Sequence, residues 1–265
     1  MTLQDKNAVV YGGGGALGGA IARAYAAAGA RVFLAGRTPG RLGAVADSII
    51  GKGGRAEIAQ VDALDERALT EHCAEIARQA GHLDIAVNAI GVDHIQGEPL
   101  SSLTLADFAL PVDTYIRSHF LIAKAAARQM MPQGSGVVLA LTTPASRMTG
   151  PGYLGHCVAC AGVEALTRHL AGELGGAGVR AVCIRSHAIP EAMTHGSHSR
   201  RIFERSAQAL GIDVAELMAG AARGTPLQRL PTLDQLAQTA VFLASDAAAA
   251  MTGAIVNLNG GSILD

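Results

Sequence analysis

Short apolar runs alternate with longer helical stretches from one end of the chain to the other. The runs at 8–11, 31–35, 56–61, 85–88, 136–141, 179–184 and 254–258 are mostly continuous rather than alternating. Continuous runs suit parallel strands covered on both faces. Helical spacing fills 18–28, 38–51, 65–80, 104–131, 153–175 and 232–245. The repeated strand–helix–strand order predicts an α/β fold with a doubly wound parallel sheet of about seven strands and right-handed crossovers. One segment breaks the rhythm. Residues 186–231 read as a polar loop followed by short helices. An insertion beyond a strand's carboxyl end is expected to cover a ligand crevice. With no linker or low-complexity block in between, 1–265 reads as one domain carrying a lid.

Composition narrows the partners. The chain is 49% hydrophobic and 16% charged, which supports a large core and argues against disorder. A net charge of −1, no Trp and 3% aromatic residues argue against nucleic acid and anionic membranes as partners. No apolar run is long enough to span a bilayer, and the first residues lack a signal-peptide pattern. The four cysteines are too few and too scattered for a disulfide framework, so a cytoplasmic protein is expected.

The first strand runs directly into Tyr11-Gly12-Gly13-Gly14-Gly15-Ala16-Leu17-Gly18, and a helical stretch follows. Between a strand and a helix, G-x-G-x-x-G carries a mechanism. Glycines allow close approach to a pyrophosphate, and the helix N-terminus offers free N–H groups and a positive dipole end. The sheet is therefore expected to be Rossmann-type. An acid about 20 residues past the glycines would hold the ribose hydroxyls of NAD. Gly36 occupies that place, and Arg37, Thr38 and Arg41 follow. A missing acid with added arginine favours the 2′-phosphate of NADP(H).

Nearly the whole chain resembles the short-chain dehydrogenase/reductase family. The glycine turn looks like the family's T-G-x-x-x-G-x-G. Asp62-Ala63 matches its adenine-contacting aspartate, and Asn88-Ala89-Ile90-Gly91 matches its N-N-A-G. Phe242-Leu243-Ala244-Ser245-Asp246 and Thr252-Gly253 through Asn259-Gly260-Gly261 match its closing pattern. The resemblance implies cofactor contacts at Gly12, Gly14, Gly15, Leu17, Gly18, Arg37, Thr38, Asp62, Ala63, Asn88, Ala89, Ile90 and Ile189. It implies a small-molecule substrate and a homotetramer or homodimer built on the helices at 104–131 and 153–175. The alanine- and glycine-rich face Ala159-Cys160-Ala161-Gly162 would permit close packing there.

The family's chemistry needs an Asn, a Ser, a Tyr and a Lys. Alignment on this chain puts Tyr115, Thr143, His156 and Cys160 in those places, and Ser186-His187 where the family has Pro-Gly. A histidine with a pKa of about 6.5 exchanges protons near neutrality without a lysine's help. His156 is thus the candidate acid or base, with Thr143 offering a hydroxyl to a carbonyl oxygen. Tyr153 has the wider spacing to Cys160 that resembles enoyl reductases, which makes it a second candidate proton donor. The expected function is NADP(H)-dependent oxidation or reduction of a small carbonyl, alcohol or enone at an atypical centre. A redox-silent isomerase, lyase or cyclase and a non-catalytic nucleotide-binding protein also fit these residues. His94, His187, His195 and His198 are expected near the cleft with His156. A lone Cys157-x-x-Cys160 on a helix is a poor zinc signal, so no metal is assigned. Met193, Ile202, Phe203 and Met218 suggest apolar contact in the lid.

Overall fold

The computed structural model describes residues 2–195 and 197–264. Its strands are β1 (Asn7–Tyr11), β2 (Arg31–Gly36), β3 (Arg55–Gln60), β4 (Ile85–Asn88), β5 (Gly136–Thr142), β6 (Val179–Ser186) and β7 (Ile255–Leu258). They form one seven-stranded parallel sheet in the order β3-β2-β1-β4-β5-β6-β7. The helices are α1 (Ala16–Ala27), α2 (Pro39–Ile50), α3 (Glu66–Ala80), α4 (Leu105–Gln133), α5 (Leu154–Gly175), α6 (Ser199–Leu210), α7 (Val214–Arg223) and α8 (Leu233–Ala244).

Strand residues point alternately to the two faces, so each strand serves two cores. In β1, Ala8 and Val10 join Ile21 and Tyr25 of α1, Leu42 and Ile49 of α2, and Leu236 of α8. Val9 and Tyr11 join Leu69 and Ile76 of α3 and Ile122 of α4 on the other side. This double burial explains why the central strands read as continuous apolar runs. The outer strand β3 is less covered: its residues are exposed or half-buried and none is fully buried. β6 runs to Ser186, beyond the expected end at 184, because Arg185 and Ser186 pair with Asn257 and Leu258 of β7.

The chain order reverses between β1 and β4, which opens a crevice at their carboxyl ends. The glycine turn leaves β1 on one side of it, and Ala89–Gly91 leaves β4 on the other. Between β6 and α8 lie a 3-10 turn at Pro190–Thr194 and helices α6 and α7. No strand occurs there among the described residues, as the sequence predicts.

The small residues of α5 are used inside the chain. A Cβ on Gly155 would lie 2.8 Å from the Phe108 carbonyl oxygen, and one on Gly162 would lie 2.5 Å from Ile116 Cδ1, both on α4. Gly155 and Gly162 therefore bring α5 close to its own α4. Ala161, in the same stretch, is exposed.

Candidate active site

One cavity of about 680 Å³ runs from the glycine turn to the N-terminal half of α5, roofed by α6 and α7. Of the residues the sequence assigns to the site, Gly12, Gly14, Gly15, Leu17, Arg37, Thr38, Asp62, Ala63, Ala89, Ile90 and Ile189 line it, as do Thr143, Tyr153 and His156.

Gly18 and Asn88 do not line it. A Cβ on Gly18 would lie 2.3 Å from the Gly12 carbonyl oxygen, so its glycine character lets α1 press against the turn. Buried Asn88 donates to Ser118 Oγ at 3.1 Å, and its Oδ1 accepts from Ile90 N at 3.0 Å. It shapes the wall that Ala89 and Ile90 present. That wall is tight, since a Cβ on Gly12 (φ +81°) would lie 2.4 Å from the Ala89 carbonyl oxygen.

The turn fits a dinucleotide. α1 begins with no side-chain cap and no acidic residue in its first turn, so its N-terminal dipole is not offset. Arg37 and Arg41 stand at the same end of the cavity, and a Cβ at Gly36 would meet only Leu42 Cδ2, at 3.6 Å. An acid could stand at position 36, but none is present.

At the other end, Thr143 follows β5 and His156 sits in the first turn of α5. Thr143 Oγ1 and His156 Nε2 are 3.2 Å apart. Cys160, one turn further along α5, has its Sγ 3.5 Å from Thr143 Oγ1 and 3.7 Å from His156 Nε2. Burial lowers His156 to about 4 and raises the Cys160 thiol. Both are neutral near pH 7, so this is not a thiolate–imidazolium pair. The expectation that His156 titrates near neutrality is corrected here. Among the described residues no carboxylate compensates its burial, and desolvation disfavours the charged ring.

His94, from the β4–α4 loop, stacks on His156 with ring centroids 4.8 Å apart and planes 19° from parallel. Tyr115 meets both rings edge-on. His94 Nδ1 donates to the Val92 carbonyl at 2.9 Å, and its Nε2 accepts from Gln96 Nε2 at 3.0 Å. That pairing fixes the tautomer and keeps the ring neutral, and its pKa is lowered to about 4 by burial above all. Nothing in the sequence announces the stack, because its two rings come from separate elements.

His187 and His198 also line the cavity. His195 does not: it is exposed, with Nδ1 2.8 Å from the Glu191 carbonyl oxygen. Nor does Met193, whose neighbour Ala192 takes that place. Leu110, Met148 and Leu217 line it without having been singled out, since single apolar residues in helices and loops carry no distinguishing signal. No group of three His, Cys, Asp or Glu side chains suited to a metal occurs among the described residues.

The sequence model of the family described as enoyl-(acyl carrier protein) reductase matches residues 14–262. The chain belongs to the short-chain dehydrogenase/reductase family. These enzymes are oxidoreductases that use a nicotinamide cofactor, NAD or NADP. This short-chain dehydrogenase/reductase is 33% identical over 262 residues to the uncharacterized oxidoreductase MT0954 of Mycobacterium tuberculosis strain CDC 1551, covering 98% of this chain and 92% of that one. It is 28% identical over 259 residues to a D-threitol dehydrogenase of Mycolicibacterium smegmatis, covering 98% and 93%. Among solved structures, sorbitol-6-phosphate 2-dehydrogenase SrlD of Erwinia amylovora superposes with a TM-score of 0.88 at 26% identity, covering 97% of this chain and 100% of that one.

Proposed function

We propose that this enzyme uses NADP(H) to interconvert an alcohol and a carbonyl, or to reduce an enone, with Thr143 and His156 serving the reacting oxygen. The observation that carries this reading is the 3.2 Å approach of Thr143 Oγ1 to His156 Nε2 in the cavity that also holds the glycine turn. Gly36 and Arg37 support the 2′-phosphate form of the cofactor.

Bound NADP(H) would supply or accept the hydride. Thr143 would orient the substrate oxygen by a hydrogen bond. Neutral His156 would take the hydroxyl proton during alcohol oxidation and return it during carbonyl reduction. Cys160 carries no charge and leaves the family lysine's cationic role unfilled. Tyr153, also on the cavity wall, is the proton donor for the enone reaction.

Names among the relatives range from a tetritol to a sugar phosphate, so they do not fix the substrate. Exposed Phe120 and Met131 on α4 and Leu154 and Val158 on α5 support a homodimer or homotetramer joined through these helices. Free thiols at all four cysteines support a cytoplasmic location. No helix among the described residues is long and apolar enough to cross a membrane.

The test is a calorimetric titration with NADPH and NADH, followed by an absorbance assay over alcohols, ketones and enones. Tighter NADPH binding and turnover lost in His156→Ala are expected. Product formation without an absorbance change would replace this reading with a redox-silent one.

A further inference from the structure

Charge is unevenly distributed along the cavity. Among the described residues, its only charged side chains are Arg37, Arg41 and Asp62, all at the glycine-turn end. Arg37 and Arg41 follow β2, whereas Thr143 follows β5. The order β2-β1-β4-β5 puts three strand spacings, roughly 14 Å, between those strands. Arginines that far away give little compensation to an anion at Thr143. In the proposed function they are also committed to the cofactor.

Away from the arginines the cavity wall is uncharged, with apolar side chains set among polar ones such as Gln96, Thr114, Tyr115 and Tyr153. Ile202 and Phe203 come from α6, Leu217 and Met218 from α7, Leu110 from α4, and Met148 from the loop after β5. Ile202 and Met218 are buried. The histidines around Thr143 carry no charge near pH 7, because burial lowers His94 and His156 to about 4 and lowers His187 as well.

Several hydroxyls here already donate within the protein. Thr142 Oγ1 donates to the Cys160 carbonyl, Ser186 Oγ to the His187 carbonyl, Ser199 Oγ to Ser197 Oγ, and Ser206 Oγ to the Ile202 carbonyl. A polyol would leave hydroxyls facing the apolar part of the wall, and a carboxylate or phosphate would be buried without a counter-charge. A hydrocarbon body loses nothing by entering.

We propose that the cavity selects an uncharged carbonyl or alcohol carried on an apolar body, with its oxygen at Thr143 and His156 and its hydrocarbon beneath α6 and α7. The position of the oxygen rests on the proposed oxidoreductase reading. The preference for an uncharged, apolar body rests on the cavity wall alone.

The experiment compares 1-decalone with a decalone carboxylate of matched size, titrated calorimetrically into the full chain at pH 7.5, with and without NADPH. The neutral ketone is expected to bind at least ~10-fold more tightly, the cost of burying an unpaired charge. Leu110→Arg and Met148→Lys, at exposed positions on the rim, are expected to narrow or reverse that preference. Equal or tighter binding of the carboxylate, or binding of neither probe, overturns the proposal. Retained ketone preference in a chain that binds no NADPH would strike the proposed function alone.

Discussion

Thr143 and His156, thirteen residues apart in sequence, face each other at 3.2 Å across the junction of β5 and α5. In the proposed function both act on one substrate oxygen. His156→Ala is expected to lower turnover by about 10²–10⁴-fold, the usual contribution of a positioned acid–base group. NADPH affinity should stay unchanged in this variant. Thr143→Ser should retain most activity, and Thr143→Val should lose it. Steady-state kinetics with parallel cofactor titration check this. Wild-type rates in His156→Ala would remove His156 from the chemistry.

The lowered pKa of His156, about 4, gives the two reaction directions different pH profiles. Alcohol oxidation uses the neutral ring, so its rate should stay level from pH 6 to 8. Carbonyl reduction draws its proton from the imidazolium, whose population falls tenfold for each pH unit above that pKa. Its rate should fall in parallel. Initial rates measured in both directions test this. A bell centred near pH 6.5 would place the ring in a more polar setting than its burial implies.

Stability should also fall with acid. His72, His94, His119 and His156 are each lowered to about 4, chiefly by burial. In the unfolded chain they titrate near 6.5. Between those values the unfolded state binds more protons, so stability is full above about pH 6.5 and is lost as pH falls toward 4. His119 is fully buried, donates no bond from Nδ1 and meets Thr167 Oγ1 through Nε2 at 3.3 Å. His119→Leu is expected to flatten the slope of Tm between pH 7 and 5. An unchanged slope would mean that His119 keeps an ordinary pKa when folded.

Cofactor choice should move with two residues. Arg37→Ala is expected to weaken NADPH binding by roughly 10- to 100-fold, as removal of a charge-assisted hydrogen bond does. NADH binding should hardly change. Gly36→Asp with Arg37→Leu should favour NADH, and the open space at Gly36 accepts that side chain. Calorimetric titration with both cofactors decides, and equal NADPH affinity in Arg37→Ala would refute the assignment.

Beneath the reaction centre lies a buried ion pair. Arg185 Nε and Nη2 donate to Glu164 Oε1 and Oε2 at 2.8 and 2.7 Å, and Nη1 donates to Asn257 Oδ1 at 2.9 Å. Glu164 is one turn beyond Cys160, so the pair joins α5 to β6 and β7. Arg185→Met should cost about 3–5 kcal/mol, because it strands a buried carboxylate. Adding Glu164→Leu should recover part of that loss. Urea unfolding of the three proteins measures both effects.

Local pattern determined much of this protein. Apolar runs and helical spacing depend on residues a few positions apart, so the seven strands, the main helices and the strand-free segment before the last helix were legible in the chain. The glycine turn and the absence of an acid at Gly36 were legible for the same reason. Tertiary structure alone decided how the side chains of the cavity meet. The stacking of His94 on His156, the neutral state of that ring and the separation of charge along the cavity arise where distant elements meet. Tertiary packing also assigned Gly18 and Asn88 to shaping the site and Gly162 to the α4–α5 contact. Desolvation and close packing sum over every neighbour in space, and neither is recorded in the order of residues along the chain.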